Sequence, residues 1–245
     1  MLGKLPVGEI VQMNRYPVKS FAGESVETSQ VEMYGLYGDR SHAFIDETKE
    51  GWSRYITARG IPQMLGYKAR LIGEGSEHEF PKVHITSQDG RIFNWDEDLL
   101  AEMQTYSKKK ITLLDYKPHS EELLAVDDSS ILIITDASLR KLENLWGKQL
   151  NKGRFRANLV VSLSDETDNE SEWFGKRLKI GSAELEVDSY CERCSMITID
   201  PDSLERDPSL LKKINEEMNL KFGIYASVKK RGIISVGDKV FLADE

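Results

Sequence analysis

Leu178-Lys179-Ile180-Gly181 and Ala183-Glu184-Leu185-Glu186-Val187 alternate apolar with polar residues and lead directly into Tyr190-Cys191-Glu192-Arg193-Cys194. A period of two is the mark of a strand with one buried face, so the chain brings its only two cysteines to the end of a β-rich stretch. Beyond Ser195-Met196-Ile197-Thr198-Ile199-Asp200-Pro201, Asp207-Pro208 offers a cap and a first-turn proline for a helix carrying Leu211, Ile214 and Met218. Strands near Ile224 to Val228, Ile233 to Val236 and Lys239 to Leu242 follow.

Upstream the same signals recur. Leu159-Val160-Val161 and Ile131-Leu132-Ile133-Ile134 have strand length, and Asp136 is placed to cap a helix bearing Leu139, Leu142 and Trp146. The acidic segment Asp165 to Glu172 reads as a solvated loop. In the first hundred residues, Ile10 to Met13, Ser25 to Glu32, Ala43 to Asp46, Lys68 to Ile72 and Val83 to Thr86 are strand candidates. Turn material at Gly35-Leu36-Tyr37-Gly38-Asp39-Arg40 and Gln88-Asp89-Gly90 separates them. The expectation is a mainly β protein: a bent sheet or small barrel first, then a β unit with two or three helices. The break falls around Lys108 to Ser120.

The bulk properties narrow the function. With 245 residues, 40% of them hydrophobic and 30% charged, the chain is long enough for one large core or two smaller domains. Its 33 basic against 41 acidic side chains give a net charge of -8, which argues against general attraction to nucleic acid or anionic lipid. An anionic ligand must then be held by local basic residues. Two cysteines do not make a secreted disulfide scaffold, and neither a leader nor a spanning run of about 20 apolar residues is visible. The cytoplasm is the expected compartment.

A thiol beside a guanidinium is a candidate thiolate, able to ligate a soft metal or attack an electrophile. Structural zinc would need more ligands, and His42, His78, His84 and His119 lack paired ligand spacing. A redox dithiol normally opens a helix, whereas Ser195 to Ile199 is β-prone. Simple packing of two buried cysteines is the third reading, made less comfortable by Arg193 between them. Arg154 and Arg156 would share one face of a strand with Asn158, which suits an anionic cofactor or, equally, an exposed edge paired with carboxylates. Lys19 and Ser20 could hold a phosphate or form a solvated turn. No P-loop or dinucleotide fingerprint is present.

Taken in order, Tyr-Pro-Val-Lys-Ser at 16 to 20, Gly-Leu-Tyr-Gly-Asp-Arg at 35 to 40, Thr-Ala-Arg at 57 to 59, Arg-Phe-Arg-Ala-Asn at 154 to 158 and Cys-Glu-Arg-Cys through Asp-Pro at 191 to 201 resemble the MOSC family. Phe222-Gly223-Ile224-Tyr225 and Ile234 to Asp238 extend the match over nearly the whole chain. In pattern the chain is most similar to the amidoxime-reducing members and to bacterial reductases of N-hydroxylated compounds. The resemblance implies a MOSC-associated β-barrel domain over 1–107 and a MOSC β-barrel domain over 108–245.

It further implies a molybdenum-molybdopterin cofactor, with Cys194 as the metal's protein ligand and catalytic residue and Cys191 in support. Lys19, Ser20, Arg40, Thr135, Ser138, Arg156, Asn158 and Arg193 fall at cofactor-binding positions, and Asp200 is the nearest carboxylate for a catalytic role. Ala157 stands where relatives commonly have proline, a change that frees φ and removes neither polar neighbour. No iron–sulfur, flavin or nicotinamide signature is present, so a separate electron-transfer protein is the expected partner, with a small-molecule substrate and neither nucleic acid nor membrane. A carrier of the cofactor, or of sulfur as a Cys194 persulfide, is the alternative, and a non-catalytic scaffold is the third class. The family's sulfurase relative brings an association with pyridoxal phosphate, but Lys19 alone gives no reason to expect a Schiff base.

Overall fold

The computed structural model describes residues 6–165 and 170–243. In chain order the strands are β1 (Gly8–Arg15), β2 (Glu24–Ser25), β3 (Thr28–Glu32), β4 (Gly35–Leu36), β5 (His42–Ile45), β6 (Lys68–Ile72), β7 (Lys82–Thr86), β8 (Ile92–Asn94), β9 (Thr112–Asp115), β10 (Ile131–Thr135), β11 (Leu159–Leu163), β12 (Arg177–Ile180), β13 (Ala183–Glu192), β14 (Lys221–Lys230), β15 (Gly232–Ser235) and β16 (Lys239–Ala243). The helices are α1 (Glu97–Gln104), α2 (Asp136–Trp146) and α3 (Pro208–Met218). The protein is mainly β, as its periodicity predicts.

Seven strands close into a barrel in the order β11-β10-β14-β13-β12-β16-β1, and β1 returns to pair with β11. Closure leaves these strands no unpaired edge, which removes a template for aggregation. The closing strand comes from the start of the chain, with Gly8 opposite both Leu163 and Val240. β10 and β11 are parallel, a pairing that needs a crossover of a dozen or more residues, and α2 supplies it.

Every residue of β10 is buried. Ile131 and Ile133 join the barrel core with Ile10, Leu159, Trp173 and Leu185, while Leu132 and Ile134 face a second cluster with Leu142, Phe155, Leu210 and Ile214. A strand covered on both faces reads as a continuous apolar run. Each such side chain contributes about 1.5–3 kcal/mol relative to exposure.

The N-terminal part is built from small sheets, β6-β7-β8, β5-β9 and β3-β4 with β15. Bridges Val18 to His42 and Ala22 to Lys68 tie them together around a separate core that includes Phe21, Phe44, Met64, Tyr67 and Ile85. Asp96 caps α1, accepting from the backbone N–H groups of Asp98 and Leu99, and the helix buries Leu99 and Met103 against that core.

Three local expectations need correction. Thr135, not Asp136, caps α2: its side-chain oxygen accepts from the Ser138 N–H at 3.1 Å, and Asp136 sits in the first turn. Arg154 and Arg156 are not on a strand, since Lys152–Phe155 is a single 3₁₀ turn and Arg156 ends it in the left-handed region at φ 56°. Ser195–Thr198 is also a 3₁₀ turn, despite its β-prone composition. The solvated-loop expectation for Asp165 to Glu172 partly lies outside the described residues. The described Glu170 is buried and accepts from the Thr135 and Ser138 hydroxyls. Among the described residues no helix is long and apolar enough to cross a membrane.

Candidate functional site

Two interlocked turns set one wall of a cavity of about 200 Å³. The extended Tyr16-Pro17-Val18 segment bridges to His42, and the chain then reverses through Ser20 at φ 69°. The second turn runs through Gly38 at φ 78°, a left-handed backbone that glycine adopts without strain. Backbone bonds from Arg40 N–H to the Tyr16 carbonyl (2.7 Å) and from Lys19 N–H to the His42 carbonyl (2.9 Å) clamp the turns together. They aim Lys19 and Arg40 into the same cavity.

The opposite wall comes from the barrel. Asn158 is locked where β11 begins: its N–H donates to the Leu132 carbonyl at 2.8 Å and its Oδ1 accepts the Leu132 N–H at 3.1 Å. Arg156, turned inward by its left-handed backbone, donates Nη1 to the Phe21 carbonyl at 2.6 Å and lies 4.3 Å from the Tyr16 ring centre. Arg193, at the end of β13, donates Nη1 to Cys191 Sγ at 2.6 Å and Nη2 to the Phe155 carbonyl at 2.8 Å. Cys194 follows, half-buried, as the residue that opens the 3₁₀ turn. The guanidinium thus sits on Cys191, which is buried, and not on Cys194.

The charges are unevenly matched. Lys19 Nζ reaches Asp127 Oδ1 at 2.6 Å and the Ala125 carbonyl at 2.7 Å, and burial still pulls its ammonium below the ordinary lysine value against the pull of Asp127. Arg40 is ion-paired with the buried Asp39. Arg156 has no such partner: burial, then the nearby Arg40, push it down to about 10. Buried Arg156 Nη2, Arg193 Nε and Ser20 Oγ have no hydrogen-bond partner among the described residues. Unsatisfied buried donors are costly, on the order of 1–3 kcal/mol each, unless a ligand completes them.

Of the residues singled out from sequence, Lys19, Ser20, Arg40, Arg156, Asn158, Arg193 and Cys194 line this one cavity. Thr135 and Ser138 do not; they hold Glu170 on the far side of β10. Nor does Asp200, which accepts from Arg154 Nη2 at 3.0 Å and from the N–H groups of Asp202 and Ser203. It braces the loop after Cys194. Sequence reasoning missed Asp127, Arg59 and Tyr225. The Thr-Ala-Arg and Phe-Gly-Ile-Tyr motifs contain Arg59 and Tyr225 without giving either a role, and nothing local marks Asp127. Burial, and then the adjoining Cys191 sulfur, raise the Tyr225 phenol well above its ordinary value, so it is an uncharged donor in the cavity.

The MOSC domain profile matches residues 120–241, and that of the MOSC N-terminal beta barrel domain matches residues 7–114. The chain belongs to the MOSC family. This MOSC chain is 33% identical to human mitochondrial amidoxime reducing component 2 over 285 residues, covering 96% of the chain and 83% of that protein. It is 35% identical to the Bos taurus protein of the same name at the same coverage. A shorter stretch of 105 residues is 37% identical to molybdenum cofactor sulfurase of Caenorhabditis elegans, covering 41% of the chain and 14% of that protein. The YUAD protein from Bacillus subtilis shares the fold, with TM-score 0.52 at 14% identity over 98% of this chain and 97% of that one.

Proposed function

We propose that the chain binds molybdenum-molybdopterin and reduces N-hydroxylated compounds with electrons from a separate electron-transfer protein. The observation that carries this reading is the set of orphaned donors, Ser20 Oγ, Arg156 Nη2 and Arg193 Nε, gathered on residues that line one cavity with the half-buried Cys194 sulfur. Their chemistry fits a phosphorylated, metal-bearing pterin: donors for a phosphate and a ring, and one soft ligand for the metal. The amidoxime reducing component names of the relatives supply the substrate class.

Lys19, Ser20 and Arg40 would hold the cofactor from one side, and Arg156, Asn158 and Arg193 from the other. Cys194, half-buried and lining the cavity, would supply the protein's sulfur ligand to the metal. When bound, the cofactor supplies two-electron chemistry in which the N–O bond is cleaved and, with two protons, the oxygen leaves as water. Arg193 steadies the strand end before Cys194 through its bonds to Cys191 and Phe155. Tyr225, protonated at neutral pH, presents a hydroxyl to the cavity. Asp200 would keep the loop after Cys194 in register through its bonds to Arg154 and to the N–H groups of Asp202 and Ser203.

We further propose domains 1–107 and 108–245, clasped by four pairings that cross the division: β1 with β11, β1 with β16, β5 with β9, and β3 with β15. The cytoplasm is the proposed compartment, checked by cell fractionation.

The test is metal and pterin analysis of native protein beside Cys194→Ser, with melting curves for both. The expected result is stoichiometric metal and pterin in the native protein and loss of metal from a folded variant. Reduced native protein is then mixed with an amidoxime, which should reoxidise it. Full metal retention by Cys194→Ser, or no reoxidation by substrate, sinks the reductase reading.

A further inference from the structure

His42 belongs to two places at once. Its carbonyl accepts the Lys19 N–H at 2.9 Å, while its ring lines a second cavity of about 460 Å³. The half-buried rings of Phe80 and Trp95 stand beside it, with centres 6.4 and 5.0 Å from the imidazole. His42 and Asp115 are directly opposed in the β5–β9 pair, so both side chains leave the same face of that ladder. Trp95 Nε1–H donates to Asp115 Oδ1, which fixes an exposed carboxylate beside the rings.

The hydrogen bonds around His42 decide what its ring can do. Ser41 has one hydroxyl proton and gives it to the Gly38 carbonyl at 2.9 Å, so it is the acceptor in its 2.8 Å contact with His42 Nδ1. Burial lowers the imidazole to about 4, so the neutral ring carries a single proton, and Nδ1 holds it. His42 Nε2 is therefore an acceptor. Lys82 and Lys117 also line the cavity, but both are exposed, and the charged side chain that acts on the imidazole is Asp115. The field around His42 is negative.

We propose that this cavity binds the flat cationic head of an amidinium or guanidinium compound. Asp115 Oδ2 supplies the counter-charge, His42 Nε2 takes one N–H, and Trp95 and Phe80 cover the faces of the head. A planar cation over an aromatic ring gains about 0.5–2 kcal/mol, and a hydrogen bond to a charged acceptor is roughly twice as strong as a neutral one. The neutral amide of the same shape brings no charge and turns a carbonyl oxygen toward one of the two acceptors. It is rejected on both counts. None of His42, Phe80, Trp95 and Asp115 lines the proposed cofactor cavity.

The experiment is calorimetric titration of the purified full chain with benzamidine, N-acetylarginine amide and benzamide, using wild type, Asp115→Asn and Trp95→Leu, each checked by thermal melting. Asp115→Asn keeps an acceptor for the indole at an exposed site, so a failure of Trp95→Leu to fold leaves a usable variant. In wild type at least one of the two cations should bind about tenfold or more tightly than benzamide. For that cation Asp115→Asn should cost at least about tenfold, with benzamide unchanged, and Trp95→Leu at least about threefold. Tighter benzamidine would identify the ligand as a free aromatic amidine, and tighter N-acetylarginine amide as an arginine side chain of a peptide; both bear out the cationic head.

Benzamide binding as tightly as the cations would make the cavity a neutral aromatic site and overturn the proposal. Unchanged cation binding in Asp115→Asn would overturn it as well, by placing the ligand elsewhere on an acidic protein. A folded Trp95→Leu that binds the cations as wild type does would remove the aromatic wall and with it the proposed geometry. No signal from either cation up to about 10 mM, by heat or by tryptophan fluorescence, would leave Asp115 a partner for Trp95 alone and end the proposal.

Discussion

The two walls of the cavity handle buried charge in opposite ways. On the N-terminal wall each cation has a carboxylate, Arg40 with Asp39 and Lys19 with Asp127. On the barrel wall Arg154 has Asp200, but Arg156 and Arg193 are held by carbonyls, a ring and a sulfur, with no carboxylate among the described residues within ion-pair distance. A buried ion pair broken on one side leaves an uncompensated charge, while an unpartnered cation is costly already and is relieved by a ligand. The first wall is therefore expected to carry more of the stability, and the second to gain more from a ligand.

Arg40→Met tests the first wall most severely. It strands Asp39, which is 1% exposed, and should lower unfolding free energy by about 3–5 kcal/mol in denaturant titrations. A loss under about 1 kcal/mol would erase the contrast.

His42, in the same half, gives the next largest effect. Burial lowers its imidazole to about 4, against the opposing pull of Asp115. The unfolded chain takes up this proton near pH 6.5 and the folded chain only near 4, so stability is intact above 6.5 and falls across that interval by up to about 3 kcal/mol. Stability curves from pH 7 to 4 for wild type and His42→Phe should differ in slope there; parallel curves would remove His42 as the cause.

Arg156→Met probes the second wall. Phenyl phosphate binding should weaken at least about a hundredfold, roughly 2.7 kcal/mol. The melting point of the empty chain should stay within about 3 °C of wild type. A large drop in melting point would make Arg156 structural, like Arg40.

Thr135→Val should show the smallest effect, a loss of about 1–2 kcal/mol from the α2 cap and the Glu170 contact. Phosphate affinity should be unchanged. A weakened affinity would return Thr135 to the site.

What was legible in the sequence follows from how local each signal is. Lys68 to Ile72 forms β6 over that span, and Asp207-Pro208 starts α3 as expected, because alternation and capping are written within a few residues. The α2 cap moved one residue because Thr135 and Asp136 are both competent caps, and backbone geometry chose between them. Arg154 and Arg156 looked like strand neighbours until the left-handed turn at Arg156 separated them. Glu170 is buried in an acidic stretch because two hydroxyls from α2 and its cap reach it, a contact with no local trace. Family pattern gathered most of the cavity. Asp127 was invisible because its meaning lies in Lys19, far away in the chain.

The strand that closes the barrel is the earliest part of the described chain to leave the ribosome. Gly8 meets Leu163 and Val240 only when nearly everything else has been made. Ring closure on such distant partners is the slow kind of folding step, since loop entropy must be lost before the pairing rewards it. Synthesis thus yields an N-terminal half whose β1 waits for most of its sheet. A cut between the halves would yield two fragments with raw edges instead of two working modules.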